Sequence, residues 1–298
     1  MSIMIPGTQG QRIFWPESLV AEVAERRCII ILGAGASASS VAQNGQRPKD
    51  WKGFLFTGID LMWDERAKQE ARELVESSSY LDAAQVMRDH MYDGDFRDLI
   101  LREFQHPRYQ PSDIHKILLK IDPKIVITTN YDQIYDNYCL HGGAYESYNV
   151  CKYYESHALN DLRSNRRVIL KAHGCVADPS RVVLTRSKYF EARNDYPSFF
   201  SILDALFLTH TLLFIGSGLN DPDINLLLEN ANIAAKSSMP HYALTPRGRH
   251  NSIKQVMKKT YNLELLEYEE GRHEQVITAL KELEEAVISY RVHRGTGF

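Results

Sequence analysis

The chain has 298 residues, of which 44% are hydrophobic and 24% are charged. This length fits two ordinary domains or one enlarged α/β domain, and the composition excludes collagen-like, coiled-coil and wholly disordered proteins. Thirty-five lysines and arginines against 38 aspartates and glutamates leave a net charge of −3, so the overall charge gives no drive towards nucleic acid or acidic membranes.

Several apolar stretches along the chain are short, rich in β-branched residues and bounded by polar residues or glycine. Such runs are typical of parallel strands that are buried on both faces of a sheet. They lie at residues 25–32, 124–129, 167–171, 211–215 and 241–245, with a weaker candidate at 263–268. Because helix-length segments separate them, they predict an α/β fold with a Rossmann-like, doubly wound parallel sheet.

The segment between the first two strands is much longer than one crossover helix requires. Its residues 64–76 are strong helix formers, and residues 80–91 and 96–104 have helical spacing. We therefore expect a helical insertion over about 41–121 that forms a smaller second lobe.

With this insertion included, the whole chain, 1–298, is predicted to form a single domain. Its Rossmann-like core covers about 21–40 and 122–272, and a charged C-terminal helix covers about 273–291. Within the core, residues 189–208 and 222–235 are predicted to be helices.

The four cysteines, Cys28, Cys139, Cys151 and Cys175, form no C-x-x-C pair, which argues against a zinc ribbon. The N-terminal sequence has no basic region followed by an apolar one, and no apolar run approaches the roughly 18 residues of a membrane span. We therefore expect a cytoplasmic protein with reduced thiols, no zinc and no membrane association.

The first predicted strand leads directly into the sequence GAGASA at residues 33–38. This G-x-G-x-x-A pattern stands where a dinucleotide-binding loop belongs, because glycine lets the backbone turn tightly and approach a pyrophosphate. An ordinary glycine-rich turn has the same pattern, and the acidic residue that a dehydrogenase carries about 20 residues later is missing.

Asn130 and Asp132 follow the strand at 124–129. An amide and a carboxylate at a strand end can orient a polar substrate, and they can equally form an Asx turn that caps the next helix. His173 follows the strand at 167–171 and precedes a glycine. Its near-neutral pKa suits a general base, although a lone histidine is more often structural.

The last polar loop follows the strand at 211–215 and contains Gly216, Ser217 and Asp221. Asp221 or its neighbour Asn220 can instead cap the helix that begins near Pro222. Because the carboxyl ends of parallel strands meet at one edge of a sheet, all four loops are expected to converge there. A shared nucleotide crevice explains that convergence better than four independent caps.

In combination and in this order, the four segments resemble the sirtuin-like superfamily, and most of all the bacterial sirtuin-like domains of antiviral defence systems. The resemblance implies NAD chemistry in a Rossmann-like domain, without a metal. It implies that Asn130 fixes the nicotinamide ribose and the attacking water, that Asp132 holds the carboxamide, and that His173 is the base. The residues implied to contact NAD are Gly33, Ala34, Gly35, Ser37, Asn130, Asp132, Gly216, Ser217 and Asp221.

Protein deacylases of this superfamily carry a zinc lobe with paired cysteines, which the cysteine spacing here does not supply. The resemblance therefore favours an NAD glycohydrolase that releases nicotinamide and ADP-ribose and depletes NAD during phage infection. It also implies a homo-oligomer that works with a HerA-type ATPase, with no direct binding of nucleic acid. A regulatory or scaffold subunit that binds NAD without chemistry is the first alternative, and an NAD-dependent deacylase is the second.

Overall fold

The computed structural model describes residues 12–141, 148–235 and 238–295. Residues 1–11 lie outside these ranges. They make up most of the N-terminal sequence that the sequence analysis considered for a targeting signal. Within them, the strands are β1 (Cys28–Leu32), β2 (Ile125–Thr128), β3 (Tyr148–Lys152), β4 (Arg167–Lys171), β5 (Thr211–Ile215), β6 (His241–Pro246) and β7 (Leu263–Tyr268).

The helices precede, connect and follow these strands. They are α1 (Glu17–Ala24), α2 (Ala34–Ser37), α3 (Trp51–Ile59), α4 (Glu65–Glu76), α5 (Tyr80–Asp89), α6 (Asp93–Phe104), α7 (Asp113–Ile121), α8 (Ile134–His141), α9 (Ala158–Arg163), α10 (Arg186–Asp195), α11 (Pro197–Thr209), α12 (Pro222–Ala234), α13 (Asn251–Tyr261) and α14 (Glu274–His293). None of the helices in the described ranges is long and apolar enough to cross a membrane.

All seven strands pair in parallel in the order β3-β4-β2-β1-β5-β6-β7. After β1, the next three strands along the chain, β2, β3 and β4, all lie on one side of β1. The chain then crosses back, and β5 pairs with the other side of β1. The strand order therefore reverses between β1 and β5, which is where ligands bind in open α/β sheets. This is the Rossmann-like, doubly wound arrangement that the apolar runs predict.

The two faces of the sheet bury different side chains of the same strand. In β1, Ile30 and Leu32 belong to one apolar core, whereas Ile29 and Ile31 belong to the other. This alternation is the two-residue period of a strand, and it explains why the sequence of β1 is apolar without interruption. Helices α1, α7 and α14 cover the first face, and α10 to α13 cover the second.

Helices α3 to α6 bury their apolar side chains in a third cluster, which includes Phe54, Met87 and Leu99. Cys175 and Val176, from the loop after β4, complete this cluster and tie it to the sheet. Helix α7 lies in the same inter-strand segment but packs on the first face of the sheet instead. The domain boundaries expected from the sequence remain a prediction.

The structure corrects two sequence-based predictions. The edge strand β3 was not predicted, because polar residues interrupt and end its sequence YNVCK, which lacks the bare apolar run of the central strands. The helix predicted at 189–208 is two helices, α10 and α11, separated at Tyr196. Pro197 causes the break, since a proline disfavours helical backbone in the residue before it.

Candidate active site

The glycine loops after β1 and β5 touch each other through their backbones. The Gly33 amide donates to the Ile215 oxygen over 3.0 Å, and the Gly35 amide donates to the Gly216 oxygen over 2.8 Å. A Cβ atom on Gly33 would lie 2.6 Å from the Gly216 oxygen, and one on Gly216 would lie 2.3 Å from the Ala36 nitrogen. These glycines are therefore required by loop-to-loop packing, whether or not a phosphate lies nearby.

Asn130 and Asp132 lie at the end of β2, directly beside the glycine loop. The Asn130 amide donates to the Gly33 oxygen over 3.1 Å and to the Ser37 hydroxyl over 3.3 Å. Ser37 in turn donates to Asp132 Oδ2 over 3.0 Å, while Asp132 Oδ1 accepts the Ile134 amide over 3.0 Å. The Asx turn weighed in the sequence analysis is thus present, and it uses only one oxygen of Asp132.

His173 follows β4 and is buried, with 3% of its surface exposed. Its backbone oxygen accepts the Val183 amide over 3.0 Å, which fixes the start of the loop. The next residue, Gly174, has a φ of +77°, and a Cβ there would lie 2.5 Å from the Arg181 oxygen. Glycine is therefore needed at this position, because a side chain would push the loop and move the imidazole.

Asp221 is the N-cap of α12, as one sequence-based alternative holds, and it also reaches His173. Its Oδ1 accepts the amides of Asp223 and Ile224 over 3.1 and 3.0 Å. Its Oδ2 accepts the Tyr189 hydroxyl over 2.9 Å and lies 3.4 Å from Nε2 of His173.

A buried ion pair connects two of the segments that form the site. Lys171, the last residue of β4, is wholly buried, and its Nζ lies 2.9 Å from an Asp136 carboxylate oxygen. The same Nζ donates to the backbone oxygen of Asp132 over 2.7 Å. One lysine therefore links the strand that precedes His173 to the turn that carries Asp132.

Burial sets the protonation of two groups around the site. It lowers the pKa of His173, and the charge of Asp221 opposes that shift, so the imidazole favours the neutral form. Burial also raises the pKa of Asp223 to about 7, and the charge of Asp221 adds to the shift while Arg193 opposes it. Both carboxylate oxygens of Asp223 are buried and have no hydrogen-bond partner among the described residues, although Arg193 Nε lies 3.5 Å from Oδ1.

One cavity of about 100 Å³ joins these side chains. Of the sequence-predicted residues, six line it: Ala34, Ser37, Asn130, Asp132, His173 and Asp221. Gly33, Gly35, Gly216 and Ser217 are not in its wall. The helical segment between β1 and β2 closes the other side with aromatic residues, namely Trp51, Phe54, Phe104 and Tyr109.

Residues 124–266 match the SIR2-like domain family. The chain contains a SIR2-like domain. It is 30% identical to Defense-associated sirtuin 2 of Bacillus subtilis over 205 residues, which cover 68% of this chain and 19% of that protein. It is 24% identical to the NAD(+) hydrolase ThsA of Acinetobacter baumannii (strain 532279) over 249 residues, which cover 83% of this chain and 48% of that protein.

A third relative, the NAD(+) hydrolase ThsA of Enterococcus faecium, is 30% identical over 135 residues, which cover 45% of this chain and 28% of that protein. The chain therefore spans less than half the length of each of these relatives. The SIR2-like match begins at β2 and ends in β7. It includes Asn130, Asp132, His173 and Asp221, whereas the glycine loop after β1 and the helices up to α7 precede it.

The residues of this site that the sequence analysis missed include Lys171, Phe104 and Tyr189. Lys171 was assigned only to a strand, because a lysine at the end of an apolar run is ordinarily an exposed boundary residue. Phe104 and Tyr189 carry no signal, because each reaches the cavity from a helix that packs there only in the folded chain.

Within the described ranges, one further cluster has the donor atoms of a metal site. Cys151, Glu155 and His157 each present a ligand atom, and these atoms lie within 4.8 Å of one another. However, Glu155 accepts the Lys152 amide and ammonium over 2.9 and 2.8 Å, so its charge is already neutralised. We assign no metal to the cluster, and the expectation of no zinc remains a prediction.

Proposed function

We propose that this chain cleaves NAD with water, releasing nicotinamide and ADP-ribose, as the NAD-depleting effector of an antiviral defence system. The observation that carries the proposal is the meeting of Asn130, Asp132 and a neutral, buried His173 around one cavity at the switch point of the sheet. The names of the relatives, NAD(+) hydrolase and defence-associated sirtuin, support the reaction and the setting.

The cavity suits one end of the substrate. Pockets for whole drug-sized ligands measure about 300–1,000 Å³, whereas this cavity measures about 100 Å³. We infer that the nicotinamide ring enters it, between the polar edge at Asn130 and Asp132 and the aromatic wall at Trp51 and Phe104. The pyrophosphate and the adenosine half then extend along the glycine loops outside the cavity.

The reaction breaks the bond between the ribose C1′ and the nicotinamide nitrogen. The bonding electrons leave with nicotinamide, which becomes neutral, and the ribose acquires oxocarbenium character. Water attacks C1′ and gives one proton to His173, so that NAD and water yield nicotinamide, ADP-ribose and a proton. General base catalysis of this kind contributes about 10²–10⁴-fold, and the fixed strand ends add the benefit of orientation.

Each polar residue has one role in this scheme. The Asn130 amide exchanges its contacts with Gly33 and Ser37 for the ribose and the water. Asp132 exchanges its contact with Ser37 for the carboxamide of nicotinamide, while its other oxygen keeps the turn. His173 accepts the proton, because burial keeps the imidazole unprotonated near neutral pH.

The proposal extends to assembly. We propose that the chain forms a homo-oligomer with a HerA-type ATPase and is held inactive until infection. The support is the resemblance of the four loops alone. Co-expression of the chain with a HerA-type ATPase, followed by light scattering, tests this, and a monomer that neither oligomerises nor binds the ATPase contradicts it.

The activity is tested by incubating the purified chain with NAD, alone and with that partner, and measuring nicotinamide by chromatography. We expect turnover that Asn130→Ala and His173→Ala reduce by at least about 10²-fold. His141→Ala, at an exposed histidine on α8, is the matched control and retains activity. NAD binding without any product favours the scaffold alternative, and NAD loss only with an acyl-peptide favours the deacylase.

A further inference from the structure

The two carboxylate oxygens of Asp221 have separate partners. Oδ1 is fully used by the first turn of α12, where it accepts two backbone amides. Oδ2 faces the opposite way, between the Tyr189 hydroxyl at 2.9 Å and His173 Nε2 at 3.4 Å. The helix cap therefore fixes the orientation of Asp221, and that orientation points its second oxygen at the imidazole.

The imidazole of His173 is held on two sides. Its ring packs edge-on against the Tyr189 ring, with 4.9 Å between the centroids. Its Nε2 is buried and has no hydrogen-bond partner among the described residues, and Asp221 Oδ2 lies 3.4 Å from it. The negative charge of Asp221 at this distance favours a proton on Nε2 over one on Nδ1.

We infer that Asp221 and Tyr189 are positioning residues for His173 rather than contacts of NAD. Asp221 holds the tautomer with the proton on Nε2, which leaves Nδ1 unprotonated as the atom that accepts the proton from water. Tyr189 holds Asp221 through its hydroxyl and His173 through its ring. This inference deepens the proposed function and rests on it for the catalytic consequence.

The charged and titratable groups around His173 determine whether a substitution raises or lowers the pKa of its imidazole. Asp221 and Tyr189 contact the imidazole directly, and Asp132, Lys49, Asp50 and Tyr109 share the cavity with it. The negative charge of Asp221 raises the pKa of His173 against the effect of burial. The Tyr189 hydroxyl, by donating to the same oxygen, draws part of that charge away.

Two conservative substitutions should therefore act in opposite directions. Asp221→Asn removes the charge and lowers the pKa of His173, and asparagine still caps α12 because it is an equally good N-cap. Tyr189→Phe keeps the ring contact but frees Asp221 Oδ2, and so raises the pKa of His173. If Asp221 and Tyr189 had a purely structural role, the two substitutions would not shift the pKa of His173 in opposite directions.

The first test needs no activity. The full chain is produced with isotope-labelled histidine, the His173 signal is assigned with His173→Gln, and its titration is followed by NMR in the wild type and both variants. We expect a lower pKa in Asp221→Asn and a higher one in Tyr189→Phe. Unchanged values, or shifts of the same sign, overturn the inference.

The second test is the pH profile of kcat for NAD cleavage. Asp221→Asn is expected to lower kcat by at least about tenfold, within the range of a general base, with KM for NAD unchanged. The acidic limb moves to lower pH in Asp221→Asn and to higher pH in Tyr189→Phe. A rise in KM at constant kcat would show instead that Asp221 binds NAD, and an inactive wild type would contradict the proposed function while leaving the NMR result to decide the inference.

Discussion

Lys171 Nζ lies 2.9 Å from a carboxylate oxygen of Asp136, and both side chains are buried. Removal of one partner from a buried pair typically costs about 3–5 kcal/mol, because the other charge stays buried without compensation. We therefore expect Lys171→Met to lower the free energy of unfolding by that amount, as measured by urea denaturation.

The double variant Lys171→Met/Asp136→Leu serves as the control. It removes both charges, so it should recover most of the lost stability. If the double variant is as unstable as the single one, the pair is not the source of the effect. Activity should remain low in both, since Lys171 also holds the backbone oxygen of Asp132.

Asp223 should destabilise the protein more as the pH rises. Its folded-state pKa of about 7 lies above its ordinary value of 3.8, so the folded chain resists its ionisation. The cost begins above the unfolded pKa and is complete above the folded one. Asp223→Asn is therefore expected to stabilise the protein by up to about 4 kcal/mol at about pH 8, and by clearly less at about pH 5.

The measurement compares the unfolding free energies of the wild type and Asp223→Asn at each pH. Taking this difference cancels the contributions of other titrating groups to the pH dependence of stability. Such groups include His115 and His241, whose pKa values burial lowers to about 4. A gain in stability that is equal at both pH values would contradict the prediction.

Gly216 should be intolerant of alanine for two separate reasons. Its φ is +67°, which costs a side chain about 1–2 kcal/mol, and a Cβ would meet the Ala36 nitrogen at 2.3 Å. Gly216→Ala is expected to reduce the melting temperature and to displace the glycine loop after β1.

Alanine substitutions at two other glycines distinguish backbone strain from the clash between the loops. Gly45 also has a positive φ, of +83°, but no atom in the described part of the chain lies within 4 Å of its Cβ position, so Gly45→Ala measures backbone strain. Gly218 has no positive φ, and a Cβ there would lie in ordinary van der Waals contact with Asn220 Nδ2 at 3.8 Å, so Gly218→Ala should be nearly neutral. Equal losses for Gly216→Ala and Gly45→Ala would show that the contact between the loops contributes nothing.

Trp51 should report on entry of the nicotinamide ring, because its side chain lines the cavity. We expect NAD to quench the intrinsic fluorescence of the chain, and Trp51→Phe to abolish the quenching. Trp63→Phe, at an exposed tryptophan that is not in the cavity wall, should leave it intact. Quenching that survives in Trp51→Phe would place the ring elsewhere.

Much of the fold follows from one property of the sequence. Strands buried on both faces of a sheet need uninterrupted apolar side chains, so β1, β2, β4, β5 and β6 are recognisable without any partner. The edge strand β3 is only half covered and so lacks that signal. The break between α10 and α11 depends on one proline inside an otherwise helical pattern.

Part of the candidate site can likewise be predicted from local sequence. Asn130, Asp132 and His173 follow strand ends, and parallel strand ends share an edge, so their convergence follows from local sequence. The partnership of Asp221 with His173 and Tyr189 does not, since it depends on how α10 and α12 pack against the sheet. Long-range packing of helices leaves no local pattern in the chain.

The backbone bonds from Gly33 to Ile215 and from Gly35 to Gly216 have a consequence for biosynthesis. The turn after β1 emerges early from the ribosome, yet the strand that braces it is made only after most of the chain. Until Thr211–Ile215 pairs with β1, the turn lacks these two backbone bonds. A nascent or truncated chain that lacks β5 therefore lacks the paired glycine loops at the edge of the sheet where the proposed reaction takes place.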